Sequence, residues 1–390
     1  MVSRVAVVVS HPIQHFCPQY SSWATLPEVE LKVFFASRHG LDAYEDKNFG
    51  RIVKWDDLKL DFPHSFLPNA AGKPLDSKID SEQLDAYLDE FDPQLVIVYG
   101  YSQTLQRHAL RWARTQKRKV AMIADSELRS KRSLLARLIK AVVLPTILRR
   151  ADVFLTVGDA NESYFRRYGV TDERLVRNFF PIDVKSFNDA TTDRENLRAR
   201  IRSNLGIPLD HTVVLMVGKL VSWKRQRDLI AFSNSIQGKS EHITIMLAGT
   251  GADELELVRQ TLRVGPGGVI FAGFVPPADL IGYYLAADIY AHCSEVEPHS
   301  LAISEAIYSG LPVVLSDLCG SYGPSDDVRP GLNGFVYRCG VVALLGEALQ
   351  KLASDETLRR QMGGESRKIS RFSQSLAHGG ALVQAMRIVA

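Results

Sequence analysis

Glu297 and Glu305 lie in the run SEVEPHSLAISEA, residues 294–306, which leads through Ser309, Gly310 and Pro312 into the apolar residues 313–315. Glycine and proline in that order suit the end of a helix. The spacing therefore predicts a helix over 300–309, with Glu297 in the loop before it and Glu305 more than a turn inside. The first amides, those of Ser300, Leu301 and Ala302, would lack intrahelical partners and point at an anion. Glu305 falls among Ile303, Ala306 and Ile307, where an unpaired carboxylate is costly, so it needs a hydroxyl or a cation. Two such carboxylates suit the hydroxyls of a ribose and a hexose in one site. The plainer reading is a surface Glu297 and a structurally satisfied Glu305.

Two lysines precede this run. The apolar residues 213–217 end at Gly218, which places Lys219 at the mouth of a sheet and Lys224 near the start of the next helix. Ammonium groups at a strand end and a helix N-terminus form a hollow suited to a diphosphate. Alternatively, both are solvated surface lysines. Gly249 and Gly251 follow the run 243–247, where glycine permits close approach to a ligand or a tight turn; the turn is the favoured reading. His11, Gln14 and His15 follow the run 5–9 and are candidates for acceptor binding or catalysis, set against a structural role. Tyr99 and Ser102, and Asp125, Ser126 and Glu127 after the run 120–123, are second-rank candidates.

The elements that must hold these residues are legible as a rhythm. Apolar runs at 5–9, 31–35, 95–99, 120–123, 153–157, 213–217, 243–247, 269–271, 289–292 and 313–315 alternate with longer amphipathic stretches. That alternation predicts an α/β protein with parallel sheets covered on both faces. Ligands in such sheets sit beyond the carboxyl ends of the strands, which is where the motifs occur. The runs form two series, matching the two domains expected of 390 residues. The polar stretch 183–204 reads as the linker between them, and the tail after Phe372 reads as helix.

A hydrophobic content of 46% and a charged content of 23% are those of an ordinary globular protein. A net charge of +3 is too small for a nucleic-acid-binding surface. Cys17, Cys293, Cys319 and Cys339 show no metal-ligand spacing and read as thiols of a reducing compartment. The apolar stretch at the start is too short for a signal-peptide core, and no stretch has the length of a membrane span, so the expectation is a cytoplasmic protein.

Glu297 and Glu305 beside GLPVV (310–314), with Gly218, Lys219 and Lys224 upstream, resemble the retaining glycosyltransferases of family 4, which have the GT-B fold. The segments 151–164, 168–171 and 331–335 also look like that family, and the likeness is close over 151–365. It implies two Rossmann-like domains facing each other across a cleft: 1–187 on the acceptor side, joined by the C-terminal helix 372–390, and 188–371 for the nucleotide sugar. Lys219 and Lys224 would bind the donor diphosphate, and Glu297 the transferred sugar. Glu305 would hold the ribose, with the base against Phe274 and Val275. His299 and the amides of Ser300, Leu301 and Ala302, with Gly218 and Gly249, would complete the donor site. His11 and His15 would join Glu297, Lys219 and Lys224 as catalytic candidates, with Gln14, Tyr99, Ser102, Asp125 and Glu127 on the acceptor side. Three segments depart from the family: SHPIQHF (10–16) replaces a glycine-rich loop, PHS (298–300) replaces Gly-Phe-Gly, and NFFPID (178–183) replaces Pro-Asn-Gly-Val-Asp.

The expected reaction is transfer from a UDP- or GDP-sugar to a glycan, lipid-linked or small-molecule acceptor by front-face displacement, with no metal or other cofactor. A nucleotide-sugar epimerase and a non-catalytic sugar-nucleotide or glycan-binding protein are the alternatives. The segment 129–150, with its seven Arg and Lys residues among Leu, Ile and Val, reads either as a peripheral contact with an anionic inner membrane face or as a helix packed on its own domain.

Overall fold

The computed structural model describes residues 2–42, 44–46, 51–53, 58–129, 134–235 and 242–390. The chain forms two compact units. The first holds Met1–Asp46, Arg51–Ile182 and Ser373–Ala390; the second holds Asp183–Phe372.

In the first unit a sheet has the order His64–Phe66, Val29–Phe35, Ser3–Val9, Leu95–Tyr99, Lys119–Ala124, Val153–Thr156 and Leu175–Arg177, every pairing parallel. Val5 to Val9 are covered on both faces, and for that reason the central strand reads as an unbroken apolar run. Tyr44–Asp46 and Arg51–Val53 pair antiparallel as a separate ribbon. In the second unit the order is Val269–Gly273, Ile243–Ala248, Thr212–Val217, Ile289–His292, Val313–Ser316 and Gly334–Tyr337, again parallel throughout. By chain order that is 3-2-1-4-5-6, a doubly wound sheet. The short edge strands His64–Phe66, Leu175–Arg177 and Gly334–Tyr337 were not among the apolar runs, because three or four residues at a sheet edge bury too little to leave a pattern.

The stretch 183–204 is no linker. It forms helices Val184–Thr191 and Arg194–Asn204 of the second unit. Its polar composition misleads because Arg198 and Arg202 point inward. Arg202 is fully buried, donates to Asp288 at 2.6 Å, and caps the carbonyls of Ala286 and His211; Arg198 donates to the other Asp288 oxygen at 2.7 Å.

The tail is helical over Glu356–Ser375 and Ala381–Val389. Ala381, Leu382 and Ala385 enter the core of the first unit, where Gln19 and Trp23 both donate to the Ala377 carbonyl. All four cysteines are free, and burial pushes the thiols of Cys17, Cys293 and Cys319 up to about 12. Among the described residues no helix is long and apolar enough to cross a membrane.

Candidate functional site

The doubly wound order creates one place in the second unit where neighbouring strands send their following chains to opposite faces: between Thr212–Val217 and Ile289–His292, paired at Val214–Ile289 and Leu215–Tyr290. A crevice opens beyond the carboxyl ends of such a pair. The lysine motif follows the first strand and the glutamate motif follows the second.

At the rim, Gly218 and Gly249 have φ of +146° and +145°, and a Cβ on Gly249 would lie 2.0 Å from the Gly218 carbonyl oxygen. Close approach of two backbones thus accounts for glycine at 249. Beyond Gly218 stands Lys219, whose carbonyl accepts from Gln226 at 2.8 Å. The chain then makes a 3-10 turn over Ser222–Lys224, and Arg225 follows in the left-handed region with φ +57°. Arg225 fixes that turn by donating to both Asp228 oxygens, at 2.8 and 2.9 Å, and to Glu295 at 3.2 Å. The Glu295 amide in turn donates to the Trp223 carbonyl at 2.9 Å.

These ties bring Lys224 onto Glu297, with Nζ donating to Oε2. The same oxygen lies 3.1 Å from His292 Nε2 and 3.5 Å from Ser294 Oγ. Burial works against ionisation of Glu297, but the hydrogen bonds of His292 and Lys224 and the charge of Lys224 outweigh it and bring the carboxyl down to about 2. Glu297 is therefore a fixed anion. Glu305 behaves oppositely. It finds its hydroxyl inside the protein, accepting from Tyr284 Oη at 2.8 Å, and burial pushes its carboxyl up to about 7.

Buried side chains link the two acids. The Tyr284 and Tyr290 rings lie 5.9 Å apart, Tyr290 Oη is 3.3 Å from His292 Nδ1, and His292 reaches Glu297. His292 and Tyr290 leave no separate signal because they sit in the apolar run 289–292, and Tyr284 because it sits in the largely apolar helix Pro277–Ala286. The one available signal was a histidine closing the run 289–292 at a sheet mouth.

The helix spans Leu301–Tyr308, with Ser300 before it and Gly310 at φ +81° after it. The Ser300 amide is not available to a ligand: it donates to Ser321 Oγ at 2.8 Å. Leu301 and Ala302 begin the helix proper. The His299 side chain is fully buried, with Nε2 3.3 Å from Asp327 and Nδ1 4.0 Å from Asp326, so its ring serves the loop's interior. Asp327 also accepts from Ser304 at 2.7 Å, and Asp326 from the Asp327 amide at 2.8 Å. The trio's donor atoms lie within 4.8 Å of one another, as cation ligands would, yet these bonds already satisfy them in part. Phe274 and Val275 line a cavity of about 350 Å³ with Leu197, Arg200, Asn204 and Tyr283; none of Lys219, Lys224, Glu297 and Glu305 lines it.

In the first unit, His11 and His15 follow the central strand. His11 Nδ1 is 2.9 Å from Ser10 Oγ and its ring meets His39 edge-on at 5.6 Å. His15 packs against Phe16 and Phe180, and its Nε2 has no hydrogen-bond partner among the described residues. Burial first, then a neighbouring histidine, lowers each to about 4, so both rings are neutral at pH 7. Gln14 opens the short turn Gln14–Phe16 between them. The Tyr99 hydroxyl accepts from Tyr20 at 2.7 Å within an aromatic cluster. Ser102 offers its carbonyl to Arg107 at 2.7 Å. Asp125 is exposed, and Glu127 is buried with Arg129 at 3.0 Å.

Within 129–150 the helix is Leu134–Leu148. Lys131 and Arg132 lie outside the described residues. Leu144 and Leu148 pack into the core, whereas Leu138, Ile139, Val142 and Val143 are exposed at 66, 56, 74 and 47%. Arg149 and Arg150 are exposed beside them.

Residues 198–369 match the family model of glycosyl transferases group 1. That segment carries both lysines and both glutamates. The group 1 match is joined by curated relatives. Alpha-monoglucosyldiacylglycerol synthase of Streptococcus pneumoniae is 29% identical over 136 residues, 34% of this chain and 30% of the relative. D-inositol 3-phosphate glycosyltransferase of Corynebacterium kroppenstedtii is 31% identical over 201 residues, 49% of this chain and 43% of the relative. The chain thus spans less than half the length of either. Among solved structures, Anabaena Alr3699/HepE in complex with UDP superposes with a TM-score of 0.69 at 18% identity, covering 99% of this chain and 98% of that one. A likeness at that identity speaks for the fold: GT-B, two Rossmann-like α/β halves.

Proposed function

We propose that the protein is a retaining glycosyltransferase that moves a sugar from a UDP- or GDP-sugar to a glycan, lipid-linked or small-molecule acceptor. The observation that carries this reading is the contact of Lys224 with Glu297 at the switch point of the second sheet. The group 1 match and the UDP held by HepE support it.

Lys219 and Lys224 take the diphosphate, Glu297 a hydroxyl of the transferred sugar, and Glu305 the ribose. The anomeric carbon–phosphate oxygen bond breaks as the acceptor oxygen bonds the same face, and the acceptor's proton passes to the leaving phosphate oxygen. No side chain needs to become a nucleophile. Catalysis rests on positioning and on charge held against the developing phosphate. With Lys219 and Lys224 as the cations that face that charge the reading requires no metal, and turnover is expected to persist in EDTA.

The exposed apolar face of Leu134–Leu148 with Arg149 and Arg150 supports a peripheral contact with an anionic inner membrane surface. A lipid-linked acceptor would be met there, in keeping with the Streptococcus pneumoniae relative. A thermal-shift panel of UDP-, GDP- and other nucleotide sugars tests the donor. At a hundredfold excess over Kd the true donor adds about 2.7 kcal/mol of stability. A panel in which no nucleotide sugar raises the melting temperature defeats the reading.

A further inference from the structure

His292 is the nearer of the two neutral partners of Glu297 among the described residues, at 3.1 Å against 3.5 Å for Ser294 Oγ, and it does not have to move when a donor arrives. Glu297 Oε2 receives both Lys224 Nζ and His292 Nε2. An incoming diphosphate draws on the same lysine, and a largely buried carboxylate that lost its cation with nothing in exchange would be strongly disfavoured. His292 closes the Ile289–His292 strand with its side chain fully buried. A carboxylate can only accept, so Nε2 carries the proton and Nδ1 accepts from Tyr290 Oη at 3.3 Å. The Tyr290 ring lies nearly parallel to it, at 27°.

We propose that His292 is a positioning residue: it holds Glu297 ionised and in place while Lys224 turns to the donor diphosphate. This deepens the donor-site reading above and rests on it. Burial drives His292 toward its neutral form, against the pull of Glu297, so it steadies the glutamate without cancelling its charge. The titratable and charged groups around the pair are Lys224 from the 3-10 turn, Tyr290 from the same strand, and Cys319, bridged to Glu297 from beyond Val313–Ser316. Where other polar side chains close the site, such as Ser294 Oγ at 3.1 Å from Nε2, they are weaker donors to the carboxylate.

Two experiments separate this inference from the donor reading. In the first, ¹³C NMR follows the Glu297 carboxyl in the full chain without any substrate. In K224M it stays below the ordinary glutamate value of about 4.3; in K224M/H292Q it also stays low, because the amide still donates. In K224M/H292L it rises by a unit or more. Equal values with histidine and leucine overturn the proposal, whatever the donor proves to be. In the second, kinetics with the donor found by thermal shift show H292L losing about ten- to a hundredfold in kcat, the scale of a residue that acts through a partner, with UDP affinity within threefold. The acid limb of its kcat–pH profile moves to higher pH, and H292Q restores most of the rate. An unshifted acid limb with full kcat, or a parallel collapse of kcat and UDP binding, counts against it.

Discussion

Lys224 and Glu305 are the two residues whose chemistry can be weighed one at a time. On the proposed function Lys224 is a preorganised donor, and removing one such donor costs about 10²–10³ in rate, roughly 3–4 kcal/mol. Lys224→Ala should lose that much kcat while keeping a cooperative unfolding transition; a loss below about threefold would take Lys224 out of the site. Glu305 titrates near 7 because burial disfavours its charge. A carboxyl raised in the folded state contributes its stability fully below its unfolded value of 4.5 and loses it as pH climbs through 7. The protein should therefore weaken between pH 5 and 8 by at most about 3 kcal/mol from this group. In Glu305→Gln that part of the slope disappears, as urea unfolding across the pH range would show. A wild-type slope unchanged by the substitution would mean that Glu305 does not titrate there.

At the scale of elements, the helix Arg194–Asn204 and the Ile289–His292 strand are held together through Asp288, which accepts from Arg198 and Arg202. Breaking a buried pair by neutralising one side costs about 3–5 kcal/mol, since a guanidinium is stranded without its anion. Asp288→Asn should lower stability by that much in denaturant unfolding. A change under about 1 kcal/mol would show the carbonyls of Ala286 and His211 to be sufficient partners. The rim of the sheet is more confined. Gly249→Ala places a Cβ against the Gly218 carbonyl and forces φ of +145° on alanine. It should destabilise by about 1–3 kcal/mol even with nucleotide absent. Both effects concern architecture, and both leave Lys224 and Glu297 chemically intact.

For the molecule as a whole, each unit is a parallel sheet whose switch point collects a polar motif at the strand ends. The exposed apolar face of Leu134–Leu148 belongs to this scale, because its partner is a surface rather than a residue. Burying Leu138 and Val142 in a membrane would contribute about 1.5–3 kcal/mol each. The protein should sediment with phosphatidylglycerol vesicles and not with phosphatidylcholine vesicles, and L138Q/V142Q should cut the bound fraction at least about tenfold. Equal binding to both vesicle types, or none, would leave that face without its proposed role.

Patterns local in the chain are legible in the sequence itself: the valine-rich strands, the helix ended by Gly310, and the placing of Lys224, Glu297 and Glu305 after strand ends. Each depends on neighbours within about one turn or one strand, so composition and spacing record it. Contacts between distant segments were not readable. Arg198 and Arg202 look like solvent-facing charge until Asp288, more than eighty residues on, turns them inward. Ser300 looks free until Ser321 takes its amide, and Glu305 looks unsatisfied until Tyr284 reaches it. His292 looks like one more residue in an apolar run until the fold sets Glu297 against it. Periodicity encodes which way a side chain faces; what waits on the other side is decided only when the sheet is assembled.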